Sequence, residues 1–476
     1  MSIRAAFSFL LFASCANIAF GQAPTIVNRA PERPINIAEP PPPRVDTDEL
    51  PPISPKKSPG PMSLEACLNL GFQHQPLLDA SRASLAAAQT GQRALEKMVF
   101  ARFMAPELPI RKRQSCLGVT IAEAGLTQAE WDTRYSITRN FFTVQYIRSQ
   151  KKVLDDVFGS LTKARARAKK LFDDGDVNIP ITQLDIDNLD INIALVKGKQ
   201  GQVRNGELKA FAALREAMGL GHDYPLEIAD VALPPAVWEE KKTTGFKEEK
   251  DDKGKVTKTP VETITYHRYF QINKADLITA ALANRGEMIQ ARTASDIVGL
   301  EVDAQSRIIG PKGTTFANGG DIHAKQAPQG VFNNEYRPGG FSIEMPNMLA
   351  GNKRDRMQRA SDLHQQSLAV VEKAHNLVSL DVEAQYLKWQ EAAEEVVNLK
   401  GIEKRAAALP GQAQNLAGKN FTSQAVIQAN IQAILVRTQL NEQVHTHALA
   451  LAGLERATAG AFRIYPIPAP APPSAK

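Results

Sequence analysis

The sequence has few aromatic residues and few cysteines, and it lacks a long hydrophobic run after its N-terminal segment. Aromatic residues make up 6% of the 476 positions, although hydrophobic residues as a whole make up 43%. Because Ala-rich stretches supply much of that content, we expect helix-on-helix packing instead of a large globular core. A helix that spans a membrane needs about 20 consecutive apolar residues, and no such run follows residue 21. Any attachment to a membrane would therefore use strands or a lipid.

The chain also lacks the charge pattern of a nucleic-acid-binding protein. Its 57 Lys and Arg residues stand among 51 Asp and Glu residues, which gives a formal net charge of +6. No basic cluster is interleaved with aromatic residues, as nucleic-acid binding would require. Since the charges are spread along the predicted helices, we interpret them as solvated helix faces and expect no nucleic-acid partner.

The residue patterns of enzymes are missing as well. We find no nucleophile motif, no phosphate-binding glycine loop and no pair of carboxylates placed for a cleft. His445 and His447 are two residues apart and so face different sides of a helix, whereas a metal-binding pair would be spaced i, i+4. His74 and His323 fit surface or capping positions. We therefore expect no catalytic site, no cofactor and no metal.

Residues 1–21 have the pattern of a secretory signal peptide, which predicts export. Arg4 precedes an apolar run, and small residues around position 21 offer a cleavage site. The residues before Cys15 resemble a lipoprotein processing site, although Phe12 stands where leucine is usual, so lipidation at Cys15 remains open. The other two cysteines, Cys67 and Cys116, could pair or remain separate thiols.

Proline and charge divide the remaining chain into five parts. Residues 22–62 and 463–476 are rich in proline, which favours extended backbone. Residues 221–274 form an irregular, charged insert. Between these parts lie two tandem repeats, at 63–220 and 275–462. The predicted fold is mainly α, with long antiparallel coiled-coil helical hairpins in two tandem repeats and a small β-part.

The two repeats contain the same elements in the same order, and such self-similarity identifies repeat architectures. Each opens with a short helix linked to a longer one and continues into a very long amphipathic helix. Each then turns at a glycine, Gly175 or Gly418, and returns along a second long helix. The repeats close on similar sequences, LREAMG and LERATAG.

Heptad spacing defines the long helices. Ile147, Leu154, Leu161 and Ala168 stand seven residues apart, as in a coiled-coil seam. The return helix repeats this spacing from Leu189 onward. A helix over 131–174 would be roughly 65 Å long at about 1.5 Å per residue. In the corresponding helix of the second repeat, Pro410 removes a hydrogen bond, so we expect a kink or break there.

Two stretches have strand or turn character. Asp252, Lys253 and Gly254 lie where a hairpin in the charged insert would turn. Residues 310–345 are rich in Gly, Asn and Pro and resemble short strands, followed by a helix that begins near Asn352.

Three segments resemble the TolC-like outer-membrane efflux proteins. The opening MSLEACLNLGFQHQPLLDASRASLAAA is similar to that family's repeat opening. The segment GFSIEMPNMLAGNKRDRMQRA is similar to the strand and basic run that lead into its next helix. The segment FDDGDVNIPITQLDIDN is similar to its helix-tip turn. The resemblance covers nearly all of residues 64–460.

The resemblance implies a homotrimer in the cell outer membrane, with an α-helical tube in the periplasm and a membrane β-barrel. Such a protein is a passive channel of a tripartite efflux or type I secretion system, with an inner-membrane pump and a periplasmic adaptor as partners. The adaptor would meet the helix tips, here Gly175, Asp176, Val177 and Asn178 with Gly418, Lys419, Asn420 and Phe421. Alternatively, each tip glycine simply ends its helix.

The resemblance also implies a carboxylate ring at the periplasmic entrance, just beyond the tips. The first repeat has Asp185, Asp187 and Asp190 there, but the second has Gln424 and Gln428. If the aspartates faced a pore they would favour cations. The alternative is an acidic helix start that suits the helix dipole.

The sequence departs from the family where the first membrane hairpin should lie. Residues 104–123 contain charged residues together with Pro106 and Pro109, so two membrane strands do not fit there. Residues 306–345 are long enough but alternate weakly. The sequence thus predicts a reduced β-part, or instead a periplasmic coiled-coil scaffold without a pore.

Overall fold

The computed structural model describes residues 60–98, 105–174, 182–250, 256–309, 347–417 and 423–464. It also describes three strand segments between residues 310 and 346. The signal segment, the long proline-rich stretches and the predicted helix tips lie outside these ranges.

Eight helices of the described chain form two matching sets. The first set is α1 (Leu64–His74), α2 (Pro76–Lys97), α3 (Leu108–Asp174) and α4 (Gln183–Ala217), with 11, 22, 67 and 35 residues. The second set is α5 (Lys274–Asn284), α6 (Gly286–Arg307), α7 (Lys353–Ala417) and α8 (Ser423–Ala457), with 11, 22, 65 and 35 residues. The mainly α, twice-repeated fold that the sequence predicts is confirmed.

Helix α3 is longer than the heptad pattern indicated. It begins at Leu108 instead of near Trp131, and its 67 residues correspond to roughly 100 Å. Pro109 lies in its first turn, where the missing N–H breaks no helical hydrogen bond. The region in which the family would have a first membrane hairpin is thus the start of this helix, as far as it is described, and the expected misfit of two strands there is confirmed.

Helix α7 runs without interruption from Lys353 to Ala417. A break at Pro410 is therefore wrong, whereas a kink there stays a prediction. The helix begins where the sequence placed it. The Asn352 side chain caps its first turn by accepting a hydrogen bond from the Asp355 backbone N–H at 3.0 Å. Packing along the rest of this 65-residue helix outweighs the one hydrogen bond that proline removes.

Strands occur in the charged insert and in the second repeat. In the insert, β1 (Val237–Lys250) pairs antiparallel with β2 (Val256–Arg268), so the insert contains the hairpin that the sequence indicated, preceded by irregular backbone. Its closing residues, 251–255, contain the predicted turn and lie outside the described ranges. In the second repeat, β3 (Thr314–Phe316) pairs with β6 (Asn347–Leu349), and β4 (Gly319–Gln326) pairs with β5 (Tyr336–Ile343).

One hydrophobic cluster joins the two repeats. It contains Ile137 and Leu214 from the first repeat and Val378 and Leu451 from the second, each with a relative exposure of 0%. Helix α3 packs on α4 in its own repeat and on α6 and α8 of the other. The two repeats therefore form one helical unit.

The cysteines that follow the signal segment are both free thiols. Cys67 is buried in α1, whereas Cys116 is exposed on α3. Burial raises the pKa of the Cys67 thiol to about 12. In the part of the chain that is described, no helix is both long and apolar enough to cross a membrane.

Candidate functional site at the ends of the long helical hairpins

The lower part of the first hairpin is held by a narrow apolar seam. Val157, Leu161 and Ala168 of α3 pack against Ile186 and Leu189 of α4, and all five are buried. The predicted heptad positions 161, 168 and 189 are therefore confirmed as seam residues. The seam fixes how the two helices approach the turn between them.

Asp185 is a helix-capping residue. Its Oδ2 accepts hydrogen bonds from the Thr182 backbone N–H at 3.0 Å and from the Thr182 hydroxyl at 2.8 Å. The Asp185 N–H in turn donates to Thr182 Oγ1 at 3.3 Å. This reciprocal arrangement is a capping box, which satisfies N–H groups that a helix start leaves unpaired. Asp187, two residues further on, is exposed and accepts a hydrogen bond from Gln183 at 2.8 Å.

Asp190 joins the two helices of the first hairpin. Arg165 of α3 donates to both of its carboxylate oxygens, at 2.7 and 3.1 Å. The hydrogen bond from Arg165 holds the pKa of Asp190 below its ordinary value. Both side chains are substantially exposed, so solvent screens the pair.

Exposed apolar residues follow the first turn on α4 and approach the second turn on α7. On α4 they are Leu184, Ile191 and Leu195, which share one helix face and are 67%, 58% and 45% exposed. On α7 they are Leu380, Leu387, Ile402 and Leu409, which also share a face and are 40–53% exposed. We name these sets the α4 stripe and the α7 stripe. In one protomer neither stripe is covered.

A buried charge cluster joins the interior of α7 to the start of α6 and the end of α8. Asp381 of α7 accepts hydrogen bonds from Arg285 at 2.7 Å and from Arg456 at 2.8 Å, and Arg285 also pairs with Glu287 at 2.6 Å. Asp132 of α3 lies 3.6 Å from Arg456. All except Asp132 are at most 7% exposed. Burial raises the pKa of Asp381, but the guanidinium groups of Arg456 and Arg285 outweigh it and hold that pKa below its ordinary value.

A second buried polar network lies where α6 ends and α7 begins. Arg356, fully buried, donates to Gln305 at 3.0 Å and to the Ile308 carbonyl at 3.1 Å. Gln305 donates to Glu301 at 2.7 Å, and Arg111 of α3 pairs with the same carboxylate. The network thus ties the first repeat to the second. The interpretation of the charges as solvated helix faces is wrong for these residues and for the cluster around Asp381.

The sequence matches no protein-family model and no curated protein. The structure, in contrast, is similar to solved outer-membrane channels. OprN is 12% identical with a TM-score of 0.61, covering 84% of this chain and 90% of that one. VceC from Vibrio cholerae is 14% identical with a TM-score of 0.59, covering 84% and 97%. The chain has the TolC-like fold. MtrE of Neisseria gonorrhoeae, 11% identical with a TM-score of 0.57 over 84% and 89%, agrees.

In the TolC-like fold the two hairpin turns are the predicted adaptor-contact tips. Residues 175–178 and 418–421, which carry this prediction, lie outside the described ranges, as does Cys15. On the second return helix, Gln428 is exposed and the side chain of Gln424 is not among those described. The tip contacts, the entrance and the lipidation site therefore stay predictions.

The intrachain partners of the first-repeat aspartates favour the helix-start interpretation over a free carboxylate ring. Asp185 is used in the capping box and Asp190 in the pair with Arg165. Asp187 is exposed, and its carboxylate accepts a hydrogen bond from the Gln183 side-chain amide. A role for these residues at an entrance of the TolC-like fold would therefore depend mainly on Asp187.

The two histidines of α8 are buried in the TolC-like fold. His445 stacks on Tyr146 with ring centroids 4.4 Å apart, and burial, with the charge of Arg139, lowers its pKa to about 3. His447 is 0% exposed, and neither ring nitrogen has a hydrogen-bond partner among the described residues. Burial lowers its pKa to about 4. Within the described ranges, no group of three or more His, Cys, Asp or Glu residues could hold a metal ion.

Acid is expected to destabilise the protein through His447. Because its pKa is lowered on folding, its stabilising contribution is complete above the unfolded value of about 6.5 and is lost as the pH falls toward the folded value. Between pH 6.5 and pH 5 the expected loss is about 2 kcal/mol. Urea unfolding followed by circular dichroism at both pH values should show a smaller loss for His447→Leu than for wild type. A His222→Leu control, which removes an exposed imidazole, should keep the wild-type loss; equal pH dependence in all three proteins would contradict the prediction.

Proposed function

We propose that the chain is the outer-membrane channel of a tripartite efflux or type I secretion system and acts as a homotrimer. On this proposal residues 1–21 direct export, and the channel is a passive conduit across periplasm and outer membrane. The turns at 175–178 and 418–421 meet a periplasmic adaptor, which connects the channel to an inner-membrane pump. The TolC-like fold supports the general role, and the two uncovered stripes carry the argument for the trimer.

The α4 stripe and the α7 stripe lie at similar distances along their helices from the hairpin turns. Ile191 lies eight residues after the start of α4, and Leu409 lies eight residues before the end of α7, so each is about 12 Å from its turn. Leu195 and Ile402 follow at about 18 and 22 Å. Large apolar side chains that are exposed together on one helix face are typical of interaction sites. In a closed ring, the α4 stripe of one protomer can pack against the α7 stripe of the next, which leaves no stripe in water.

The trimer can be tested with a double variant on the α7 stripe. Ile402→Glu with Leu409→Glu places two charges in the proposed contact and should convert the purified protein from trimer to monomer, as measured by light scattering on a sizing column. The matched control is Gly401→Glu with Ala408→Glu, because both positions are exposed and each is one residue removed from the stripe. The control should remain trimeric. A monomeric wild type would contradict the trimer, and two trimeric variants would contradict the proposed contact between the stripes.

A periplasmic coiled-coil scaffold without a pore is the alternative. One observation favours it: strands β3 to β6 all belong to the second repeat, whereas the first repeat passes from α2 to α3 with only residues 99–104 outside the described ranges. Envelope fractionation with a carbonate wash separates the two functions. A channel stays in the outer-membrane fraction, and its deletion makes cells hypersensitive to toxic compounds. A scaffold is released, and its deletion alters the envelope without changing sensitivity.

A further inference from the structure

An aromatic cleft lies at the base of the insert hairpin, away from the predicted tips. It has a volume of about 340 Å³, within the range typical of ligand sites. Its walls come from both the hairpin and helix α7, with Trp238, His267, Phe270, Tyr386 and Trp389 as aromatic members. We name it the hairpin cleft. Nothing in the channel proposal uses it.

The aromatic walls are held in place by their own contacts. Trp238 stacks on His267 with centroids 4.6 Å apart, and Glu240 contacts His267 Nε2 at 2.7 Å. Arg268 lies over the Trp389 ring at 6.0 Å and pairs with Glu394. The Trp238 side chain is fixed in this way even though the residue is 38% exposed. The cleft is therefore a preformed surface.

Trp389 presents a donor that lacks an acceptor. The residue is only 2% exposed, and its indole Nε1 has no hydrogen-bond partner among the described residues. A buried N–H without a partner costs roughly 1–3 kcal/mol. Because Nε1 itself is closed to solvent, an occupant of the cleft removes that cost if the Trp389 ring turns to meet its carbonyl oxygen. The cleft thus suits a ligand with flat apolar groups and free carbonyl acceptors.

The chain itself contains a segment of this chemistry that begins beside the cleft. Residues 465–476, YPIPAPAPPSAK, contain five prolines, and proline-rich segments favour an extended helix whose backbone carbonyls are unpaired. Just before this segment, Phe462 packs on Phe270 of the cleft with centroids 6.1 Å apart, and Ile464 is fully buried in the main cluster. In extended form twelve residues reach roughly 37 Å.

We propose that the C-terminal proline-rich segment, residues 465–476, binds in the hairpin cleft of its own chain. Proline rings pack on Trp238 and Tyr386, and after the Trp389 ring turns, a backbone carbonyl accepts its indole N–H. Aromatic-lined grooves recognise proline-rich peptides elsewhere in this way. The segment would then clamp the insert hairpin to α7, since the cleft walls belong to both. The N-terminal proline-rich stretch enters the described structure at Met62, beside Ile228, and not at a residue of the cleft walls.

The test uses a fluorescent peptide of residues 465–476 and fluorescence anisotropy. A protein that ends at Ile464 leaves the cleft free and should bind the peptide saturably. The full-length protein should bind it at least tenfold more weakly, because a tethered segment competes at roughly millimolar effective concentration. A peptide in which alanine replaces the five prolines should not bind. Circular dichroism checks that the shortened protein keeps its helix content.

Cleft variants of the shortened protein locate the binding site. Trp238→Ala should weaken binding at least tenfold, and Trp389→Phe, which removes the donor but keeps a ring, should weaken it about fivefold. Phe172→Ala is the matched control, since it removes an exposed aromatic ring far along α3, and it should leave binding unchanged.

Three results would overturn the proposal. The first is no saturable binding to the shortened protein. The second is equal binding to the shortened and full-length proteins, which would mean that the cleft is open to a segment from elsewhere. The third is tighter binding of a peptide from residues 36–56, which would assign the cleft to the N-terminal proline-rich stretch.

Discussion

An Asp381→Asn protein is expected to lose about 3–5 kcal/mol of unfolding free energy, because the substitution leaves a net positive charge in the protein interior. In the folded protein the four buried members of the cluster, Arg285, Glu287, Asp381 and Arg456, sum to zero charge. After the substitution Arg285 keeps Glu287. Arg456 keeps only Asp132, which is 3.6 Å away and 30% exposed. Urea unfolding followed by circular dichroism at pH 7 would measure the loss.

The loss of unfolding free energy in Asp381→Asn should result from the unbalanced charge and not from a change in side-chain shape. Adding Arg456→Gln to Asp381→Asn restores neutrality, so the double variant should recover a substantial part of the stability lost by the single one. Strictly additive losses in this double-mutant cycle would contradict the argument. The surface control is Asp190→Asn, which breaks the exposed pair with Arg165 and should cause only a small change that salt reduces further.

The pH dependence of the Asp381 contribution follows from the sign of its shift. The folded pKa is lowered by Arg456 and Arg285, so the stabilisation is present above the unfolded value of about 3.9 and is lost only as the pH falls below it. Wild type and Asp381→Asn should therefore differ by the full amount from pH 5 to pH 8. The acid loss between pH 6.5 and pH 5 belongs to His445 and His447, and Asp381→Asn should retain it.

The long helices could be predicted because their packing repeats along the chain. Each seam position recurs every seven residues, so Leu161, Ala168 and Leu189 could be found in the sequence, and the two repeats supported each other. The same pattern could not show where α3 begins, since the heptad signal is weak over its first turns. It indicated a hairpin in the charged insert from its turn residues, but it could not show that the two strands extend over residues 237–268, because charged strands lack an apolar alternation.

The buried charges were missed because periodicity does not distinguish a solvated carboxylate from a paired one. Asp381 nevertheless lies on the buried face of α7, with Val378 three residues before it and Gln385 four residues after it, and all three are buried. A charged residue on an apolar face was a usable signal. Its partners were not, since Arg285 and Arg456 are 96 and 75 residues away along the chain.

The second large effect on stability is expected at the ends of α4 and α8, which are equivalent positions in the two repeats and can be compared. At the end of α4, Gly219 has φ +70° and the Leu220 N–H donates to the Arg215 carbonyl at 2.9 Å. At the end of α8, Ala459 has φ +47° and the Gly460 N–H donates to the Glu455 carbonyl at 2.9 Å. Both are the left-handed cap that commonly ends helices. Glycine occupies the left-handed position in the first repeat and alanine in the second.

Gly219→Ala is expected to cost roughly 2–5 kcal/mol. The left-handed backbone alone costs an alanine about 1–2 kcal/mol. A Cβ at Gly219 would also lie 2.3 Å from the His74 carbonyl oxygen and 2.8 Å from the Gln75 Cα, which are backbone atoms that cannot rotate away. Displacing them would disturb Gln75, whose side chain donates to the Ala217 carbonyl at 2.8 Å, so overpacking adds about 1–3 kcal/mol.

The opposite substitution in the second repeat, alanine to glycine at position 459, separates the backbone strain from the overpacking. Ala459→Gly removes the backbone strain and should stabilise the protein by roughly 1–2 kcal/mol, before the entropy that glycine adds to the unfolded chain is subtracted. Gly198→Ala, on an exposed face of α4 with no atom within 4 Å of an added Cβ, should also stabilise, by helix propensity alone. If Gly219→Ala costs no more than Ala459→Gly gains, then the close approach of His74 makes no contribution and the first repeat tolerates alanine as the second does. If it costs several kcal/mol more, the junction of α1 and α2 is packed against the end of α4 in the way the distances describe.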